Sequence, residues 1–260
     1  MGEREAAPPT TGAGDAPQEL HVRVLASFPH DPSAYTQGLE WEPEGLIESA
    51  GRYGMSLVRR WRPGVERPLA EERLGDRYFA EGITLVGETL IQLTWREGIA
   101  FYRDHATLRE KKRRSYEGEG WGLCYDGEHL IMSDGTDLLT ERDPESFLEL
   151  RRVAVVANGA PVGELNELEC VDGQVYANVY GTDRIARIDP SSGHVTAMID
   201  ASGLLTPAEQ KAGAEVLNGI AYNSETETFY LTGKLWPRLF EVTFEPPAAE
   251  PPAQRPRQTQ

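Results

Sequence analysis

Cysteine, histidine, positive charge and long apolar runs are all scarce in this 260-residue chain. Its two cysteines are too few for a disulfide framework. Cys124 and Cys170 both fall inside apolar strand patterns, where a thiol behaves as a small hydrophobe, so a buried free pair is the favoured expectation. A bridge between them would need a short Cα separation that the sequence does not establish. No hydrophobic run approaches the roughly 20 residues of a membrane helix. Of the five histidines, His105, His129 and His194 have no spacing suited to a metal triad, so a catalytic zinc is not indicated. Against 42 Asp and Glu the chain sets only 26 Lys and Arg, a net charge of −16. Such a field repels phosphate backbones and anionic lipid, which argues against nucleic acid and membrane surfaces as partners. The one basic cluster, Lys111 to Arg114, lies between two strand patterns without interleaved aromatics and reads as a solvated connection.

Residues 1–18 are rich in Ala, Pro, Gly and Thr and lack the basic-then-apolar order of a signal peptide. Residues 246–260 carry five prolines and no hydrophobic pattern. Both read as disordered tails around one domain at 19–245. Within that domain the sequence repeats loosely at a period of roughly 40 to 50 residues, the range of propeller blades. Five units open at Thr36-Gln37-Gly38-Leu39, Ala80-Glu81-Gly82-Ile83, Gly120-Trp121-Gly122-Leu123, Glu167-Leu168-Glu169-Cys170 and Asn218-Gly219-Ile220-Ala221. Second strands are expected at Leu46 to Ser49, Thr89 to Thr94, His129 to Ser133, Gln174 to Asn178 and Thr228 to Thr232. Third strands are expected at Ser56 to Trp61, Ile99 to Arg103, Asp137 to Arg142, Arg184 to Asp189 and Leu239 to Phe244, with fourth strands at the outer edge. Short antiparallel units at this period bury their faces only against one another in a closed ring. The expected fold is therefore all-β, a five-bladed β-propeller with a central channel. One short helix is expected at Pro207 to Gly213, capped by Thr206.

Strands nearest the axis come first in each unit, so the openings converge on one channel mouth. They supply Gln37, Glu81, Trp121, Asn166, Glu167 and Asn218. Taken singly, a polar residue at a strand start usually satisfies backbone groups and a Trp usually packs in a core. Taken jointly, a carboxylate, amides and an indole converging on one mouth point to a pocket. His30 beside Asp31 suggests a base and its orienter, but the proline-flanked segment reads as a turn with a structural role.

The chain resembles the plant-type glutaminyl cyclotransferases over nearly all of Phe28 to Phe244. The segments that carry the resemblance are PHDPSAYTQGLEW (Pro29 to Trp41), FAEGIT (Phe79 to Thr84), LIQLTW (Leu90 to Trp95) and GEGWGL (Gly118 to Leu123). They continue with LIMSDG (Leu130 to Gly135), LNELE (Leu165 to Glu169), YANVY (Tyr176 to Tyr180), VLNGIAY and TGKLWP. The resemblance implies a five-bladed propeller with its site at the channel mouth and Glu81 as catalytic acid and base. It also implies Lys234 in catalysis and Tyr35, Gln37, Phe79, Trp95, Trp121, Asn166 and Tyr180 around the substrate. The family commonly has Phe at the position of Tyr35 and Trp at that of Tyr180; both departures keep an aromatic wall and add a hydroxyl. The implied partners are peptides or proteins with an N-terminal glutamine, acted on by a monomer. The implied address is periplasmic or secreted, with no cofactor required. A structural cation held by carbonyls in the channel is compatible with the fold and has no sequence signature.

The chemistry suits these residue types. Closing pyroglutamate requires the α-amine to attack the γ-carboxamide carbon of the same residue, so one folded rotamer must be held, a task for aromatic walls. The amine titrates near about pH 8, so a carboxylate is base enough. Glu81 takes the amine proton and returns one to the departing nitrogen, and burial beside Trp95 and Trp121 should raise its pKa for the second step. Lys234 is expected to face the developing oxyanion or the substrate, Asn166 and the indole N–H of Trp121 to donate to the carboxamide oxygen, and Gln37 to grip the amine or carboxamide. Two rivals remain. A metal-dependent lactonase or esterase would hold calcium with Glu81, Asn166 and Asn218. A non-catalytic propeller would bind extended peptides on its face.

Overall fold

The computed structural model describes residues 16–65 and 67–247. Apart from their inner ends, the tails expected at 1–18 and 246–260 lie outside the described residues, and Gln18 already opens a strand. The architecture is all-β. After β1 (Gln18–Pro29) come four antiparallel meanders. The first is β2 (Thr36–Glu42), β3 (Gly45–Ala50), β4 (Leu57–Trp61) and β5 (Ala70–Arg73). The second is β6 (Ala80–Val86), β7 (Thr89–Thr94), β8 (Ile99–Asp104) and β9 (Glu110–Ser115). The third is β10 (Leu123–Tyr125), β11 (Leu130–Ser133), β12 (Leu138–Arg142) and β13 (Glu149–Ala154), followed by a small hairpin of β14 (Val156–Ala157) and β15 (Ala160–Pro161). The fourth is β16 (Leu165–Val171), β17 (Gln174–Val179), β18 (Arg184–Ile188) and β19 (Val195–Asp200). The helix α1 (Pro207–Lys211) then leads to β20 (Leu217–Asn223), β21 (Thr228–Gly233) and β22 (Arg238–Glu245).

Among the described residues this last unit has no fourth strand of its own, and β1 takes that place. Residues His21 to Pro29 pair antiparallel with β22, while Gln18 to His21 run parallel to β19. The two ends of the described chain are thereby tied to each other, and the fourth and fifth units join in one eight-stranded sheet. Within each unit burial falls from inside outward. The second strands β3 and β21 are buried throughout, whereas the fourth strands β9 and β13 are exposed at nearly every position. That gradient explains the basic cluster, which is the outer strand β9 and not a connection. An outer strand offers unpaired backbone groups, and charge guards it against pairing with another chain. Lys111 meets Asp104 at 2.8 Å and Arg113 meets Glu110 at 2.7 Å.

The first strands β2, β6, β10, β16 and β20 pack in a circuit, each against its neighbours. A Cβ on Gly38 would lie 2.7 Å from the Ile83 backbone nitrogen, one on Gly82 2.7 Å from that of Leu123, and one on Gly122 2.0 Å from the Asn166 carbonyl. Glycine is the residue that permits this approach. The fourth unit carries Glu167 at the corresponding place. Its buried carboxylate accepts from the Leu39 and Ile220 backbone N–H groups at 3.1 and 2.8 Å. Register shifts between Thr36 and Gly38, Ala80 and Ile83, Leu165 and Leu168, and Leu217 and Ile220 mark equivalent bulges. The fourth unit thus opens at Leu165-Asn166-Glu167-Leu168, two residues earlier than its sequence suggests.

The cysteines are bridged, contrary to the free pair expected. Cys124 on β10 and Cys170 on β16 belong to adjacent first strands, whose packing brings their Cα atoms to 5.4 Å, within reach of a disulfide. The helix forms as expected: Thr206 accepts from the Glu209 N–H, and the Glu209 side chain accepts from that of Thr206. Among the described residues no helix is long and apolar enough to cross a membrane.

Two stability tests follow from this packing. The bridge closes a loop across 46 residues of sequence; replacing both cysteines by alanine should cost about 2 to 4 kcal/mol in a denaturant melt, and an unchanged midpoint would deny it that role. Burial pushes the carboxyl of Glu40, on β2, from 4.5 up to about 7, even though it accepts from the Leu85 N–H at 3.1 Å. The folded chain therefore keeps this proton where the unfolded chain releases it, and the resulting stability fades as pH rises from the unfolded value toward about 7. Glu40→Gln should raise Tm at about pH 8 more than at about pH 4.5, and an equal shift at both would contradict the assignment.

Candidate active site

Tyr35, Gln37, Phe79, Glu81, Trp95, Trp121, Asn166, Tyr180 and Lys234 line one cavity of about 240 Å³. These are the nine residues that the family resemblance implies; Glu167 and Asn218, also expected at the mouth, are not in the lining. The bulged openings of β2, β6 and β16 deliver Gln37, Glu81 and Asn166, and Trp121 comes from the segment just before β10. Lys234 follows β21, Trp95 follows β7 and Tyr180 follows β17. A larger cavity of about 420 Å³ lies elsewhere, lined by His30, Asp31, Arg59 and Trp61 among others. Its ionisable groups are spent on one another: His30 bonds Glu48 at 3.0 Å, and Arg59 bonds Glu48 at 2.7 Å and Asp31 at 2.8 Å. Burial opposes the charge on Glu48, but His30 and Arg59 outweigh it and hold this carboxyl well below the usual range. His30 is structural, as expected.

Glu81 has a different environment. Burial pushes its carboxyl well above 4.5, Lys234 opposes the shift, and the charges of Glu119 and Glu97 add to it. Among the described residues, the one hydrogen bond its carboxylate accepts comes from the Gln37 Nε2, at 3.0 Å. Gln37 is oriented in turn by Asn218, whose Nδ2 donates to Gln37 Oε1 at 3.2 Å and to the Thr36 carbonyl at 3.0 Å. Gln37 therefore aims the carboxylate, instead of being free to grip a ligand as its sequence position suggested. Lys234 is also buried, which lowers its pKa against the raising influence of Glu81 and Glu215. Its Nζ lies over the rings of Tyr35 and Tyr180 at 4.9 and 5.1 Å. It forms no direct ion pair with Glu81, leaving both groups facing the cavity. Burial and the Glu215 charge push the Tyr35 phenol up to about 12, so it stays protonated.

The walls are held from behind. Phe79 meets Tyr35 and Trp95 edge-on, with centroids 6.2 and 5.5 Å apart, and Trp121 meets Tyr180 at 5.6 Å. The indole N–H groups of Trp95 and Trp121 both donate to Glu119 Oε2, at 2.7 and 3.1 Å. Arg96 donates to Glu119 Oε1 at 2.8 Å while lying 3.7 Å over the Trp95 ring. The expectation that the Trp121 N–H serves a ligand carbonyl is thus corrected, because Glu119 already occupies it. Asn166 remains available: its buried Oδ1 has no partner among the described residues. Among the described residues no group of three or more His, Cys, Asp and Glu is placed to hold a metal ion.

Glu119 and Glu97 were not among the site residues read from the sequence, whereas Asn218 and Glu167 were expected at the mouth and stand behind the cavity lining, Asn218 orienting Gln37 and Glu167 accepting from two backbone N–H groups. Asn218 had a signal, since it occupies in its unit the place of Gln37, Glu81, Trp121 and Asn166. Glu119 stands within the GEGWGL segment, two residues from Trp121. Nothing local marks Glu97, which accepts from the Phe79 N–H at 3.2 Å.

A buried carboxyl with a raised pKa beside an amine of lowered pKa, in a small aromatic cavity of an all-β fold, marks a site of the general acid–base class. The chain belongs to the glutamine cyclotransferase family, whose model matches residues 2–244. It is 39% identical over 235 residues to a glutaminyl-peptide cyclotransferase of Arabidopsis thaliana, covering 88% of this chain and 73% of the relative. The crystal structure of Myxococcus xanthus glutaminyl cyclase is similar, with a TM-score of 0.80 and 38% identity over 88% of this chain and 98% of that one.

The charge on Glu119 raises the pKa of Glu81. In Glu119→Gln the Glu81 titration, followed by carbon-detected NMR of the side-chain carboxyl, should move to lower pH; an unmoved or higher midpoint would break the proposed coupling.

Proposed function

We propose that this protein is a glutaminyl-peptide cyclotransferase that converts the N-terminal glutamine of peptides to pyroglutamate and releases ammonia, with Glu81 as both base and acid. The observation that carries the reading is Glu81 itself: a buried carboxyl of raised pKa, aimed by Gln37 and facing Lys234 across an aromatic cavity. Family membership and the two relatives support the same activity.

The aromatic walls hold the glutamine side chain folded back, so that its α-amine reaches the γ-carboxamide carbon. As the new C–N bond forms, Glu81 accepts the amine proton. It then passes a proton to the carboxamide nitrogen, the old C–N bond breaks, and ammonia departs. The raised pKa suits both steps, because a strongly acidic carboxylate would be a poor base and would retain no proton for the leaving group. Lys234, free of an ion pair, stabilises the negative charge that develops on the carboxamide oxygen. The unpartnered Asn166 Oδ1 accepts from substrate N–H groups. The reaction as written draws on no metal.

For the architecture we propose a five-bladed β-propeller. Four complete meanders, a fifth unit completed by β1, and the circuit of five first strands support it. Closure by the chain's own first strand leaves the site complete in one copy, in keeping with a monomer. The Cys124–Cys170 bridge favours an oxidising compartment, hence export.

Glu81→Gln keeps the shape of the side chain and removes its proton transfer. Ammonia release from a glutamine-leading peptide should fall by about a hundred- to ten-thousand-fold, while wild-type release persists with EDTA present. Near wild-type turnover in the variant would remove Glu81 from the mechanism, and loss of wild-type release on chelation would favour the metal-dependent alternative.

A further inference from the structure

We infer that the turn between β3 and β4 forms a subsite for the residue that follows glutamine, and that Tyr53 gives this subsite a preference for aromatic and large apolar side chains. The inference rests on the cyclotransferase reading and names a part of the substrate which that reading leaves open.

Phe79 is the hub. Two of its aromatic neighbours, Tyr35 and Trp95, line the cavity with it. The third, Tyr53, meets it edge-on with centroids 5.3 Å apart, stands outside the cavity and is 50% exposed. The apolar wall therefore continues past the mouth. Tyr53 is anchored there: its hydroxyl donates to Glu97 Oε1 at 2.9 Å, and Glu97 Oε2 accepts from the Phe79 N–H.

The turn that carries Tyr53 is shaped by the site. A Cβ on Gly51 would lie 2.3 Å from the Phe79 ring. Arg52 has φ of 113°, a conformation that L-residues rarely adopt and that persists where the surroundings fix it. Its guanidinium lies 4.5 Å over the Tyr35 ring and 3.6 Å from Glu215. Tyr180, on the other side of the mouth, already packs against Trp121 and Lys234. A cavity of about 240 Å³ holds the folded glutamine, so the rest of the peptide must leave over the rim. Tyr53 offers that departing segment an anchored, half-exposed aromatic ring packed on the cavity wall.

The test compares kcat/KM for a glutaminyl-phenylalanyl and a glutaminyl-glycyl dipeptide amide, as a ratio within each enzyme so that any common loss cancels. The wild type should favour phenylalanine by about fivefold, the scale of one aromatic contact. Tyr53→Ser should bring the ratio near one, and Tyr53→Phe, which keeps the ring, should preserve it. Equal turnover of the two peptides by the wild type overturns the inference whatever the variants do, as does a preference that survives in Tyr53→Ser. Absence of ammonia release from both peptides would overturn the cyclotransferase reading, and this inference with it.

Discussion

Everything at the cavity depends on how closely the first strands approach where they pack against one another. At Gly38, Gly82 and Gly122 the neighbouring backbone leaves no room for a Cβ. Each of these glycines is preceded by a residue that lines the cavity, Gln37 and Glu81 within local bulges and Trp121 just before its strand. In the fourth unit Glu167 takes the place of glycine. Its carboxylate caps two backbone N–H groups from other first strands, while Asn166 precedes it at the cavity. Close packing of the first strands and convergence of polar side chains at the cavity are therefore one feature of the fold. Positions adjacent in sequence serve the two purposes.

Two buried ionic groups show how the same forces serve structure and chemistry. Around Glu48, two cations and the Thr36 hydroxyl satisfy the carboxylate, its pKa falls, and nothing remains to act on a ligand. Around Glu81, burial dominates, Gln37 supplies one hydrogen bond, and Lys234 faces the same cavity without an ion pair. Glu81 and Lys234 are both shifted toward their neutral forms. An unsatisfied buried carboxyl is costly to a fold unless function requires it. The rigid backing supplied by Glu119 and Glu97 keeps the aromatic walls in place around it.

Most of the strand pattern was legible because the second strands are continuous apolar runs bounded by turn residues, as at Thr228–Gly233, which is buried throughout. The fourth opening was misread by two residues because Glu167 breaks the glycine signature at the one position that would have fixed the alignment. The β9 strand reads as a connection because the outermost strand of a unit carries charge instead of an apolar pattern. The bridge depends on a distance between neighbouring units, which spacing along the chain does not encode. The nine site residues that the resemblance implies meet at one cavity, since the segments that carry them are distinctive. The hydrogen bonds that reassign Gln37 and Trp121 are tertiary: Gln37 is held across 181 residues of sequence by Asn218, and Trp121 shares its acceptor with Trp95.

Ring closure and hydrolysis of the same carboxamide both release ammonia, but only hydrolysis takes an oxygen from water. The decisive measurement is therefore the mass of the product peptide after complete turnover in heavy-oxygen water. Attack by the substrate's own amine, with Glu81 moving the proton, predicts a product lighter than the substrate by one ammonia and free of heavy oxygen. A product carrying one heavy oxygen would show that water is the nucleophile and would contradict the account.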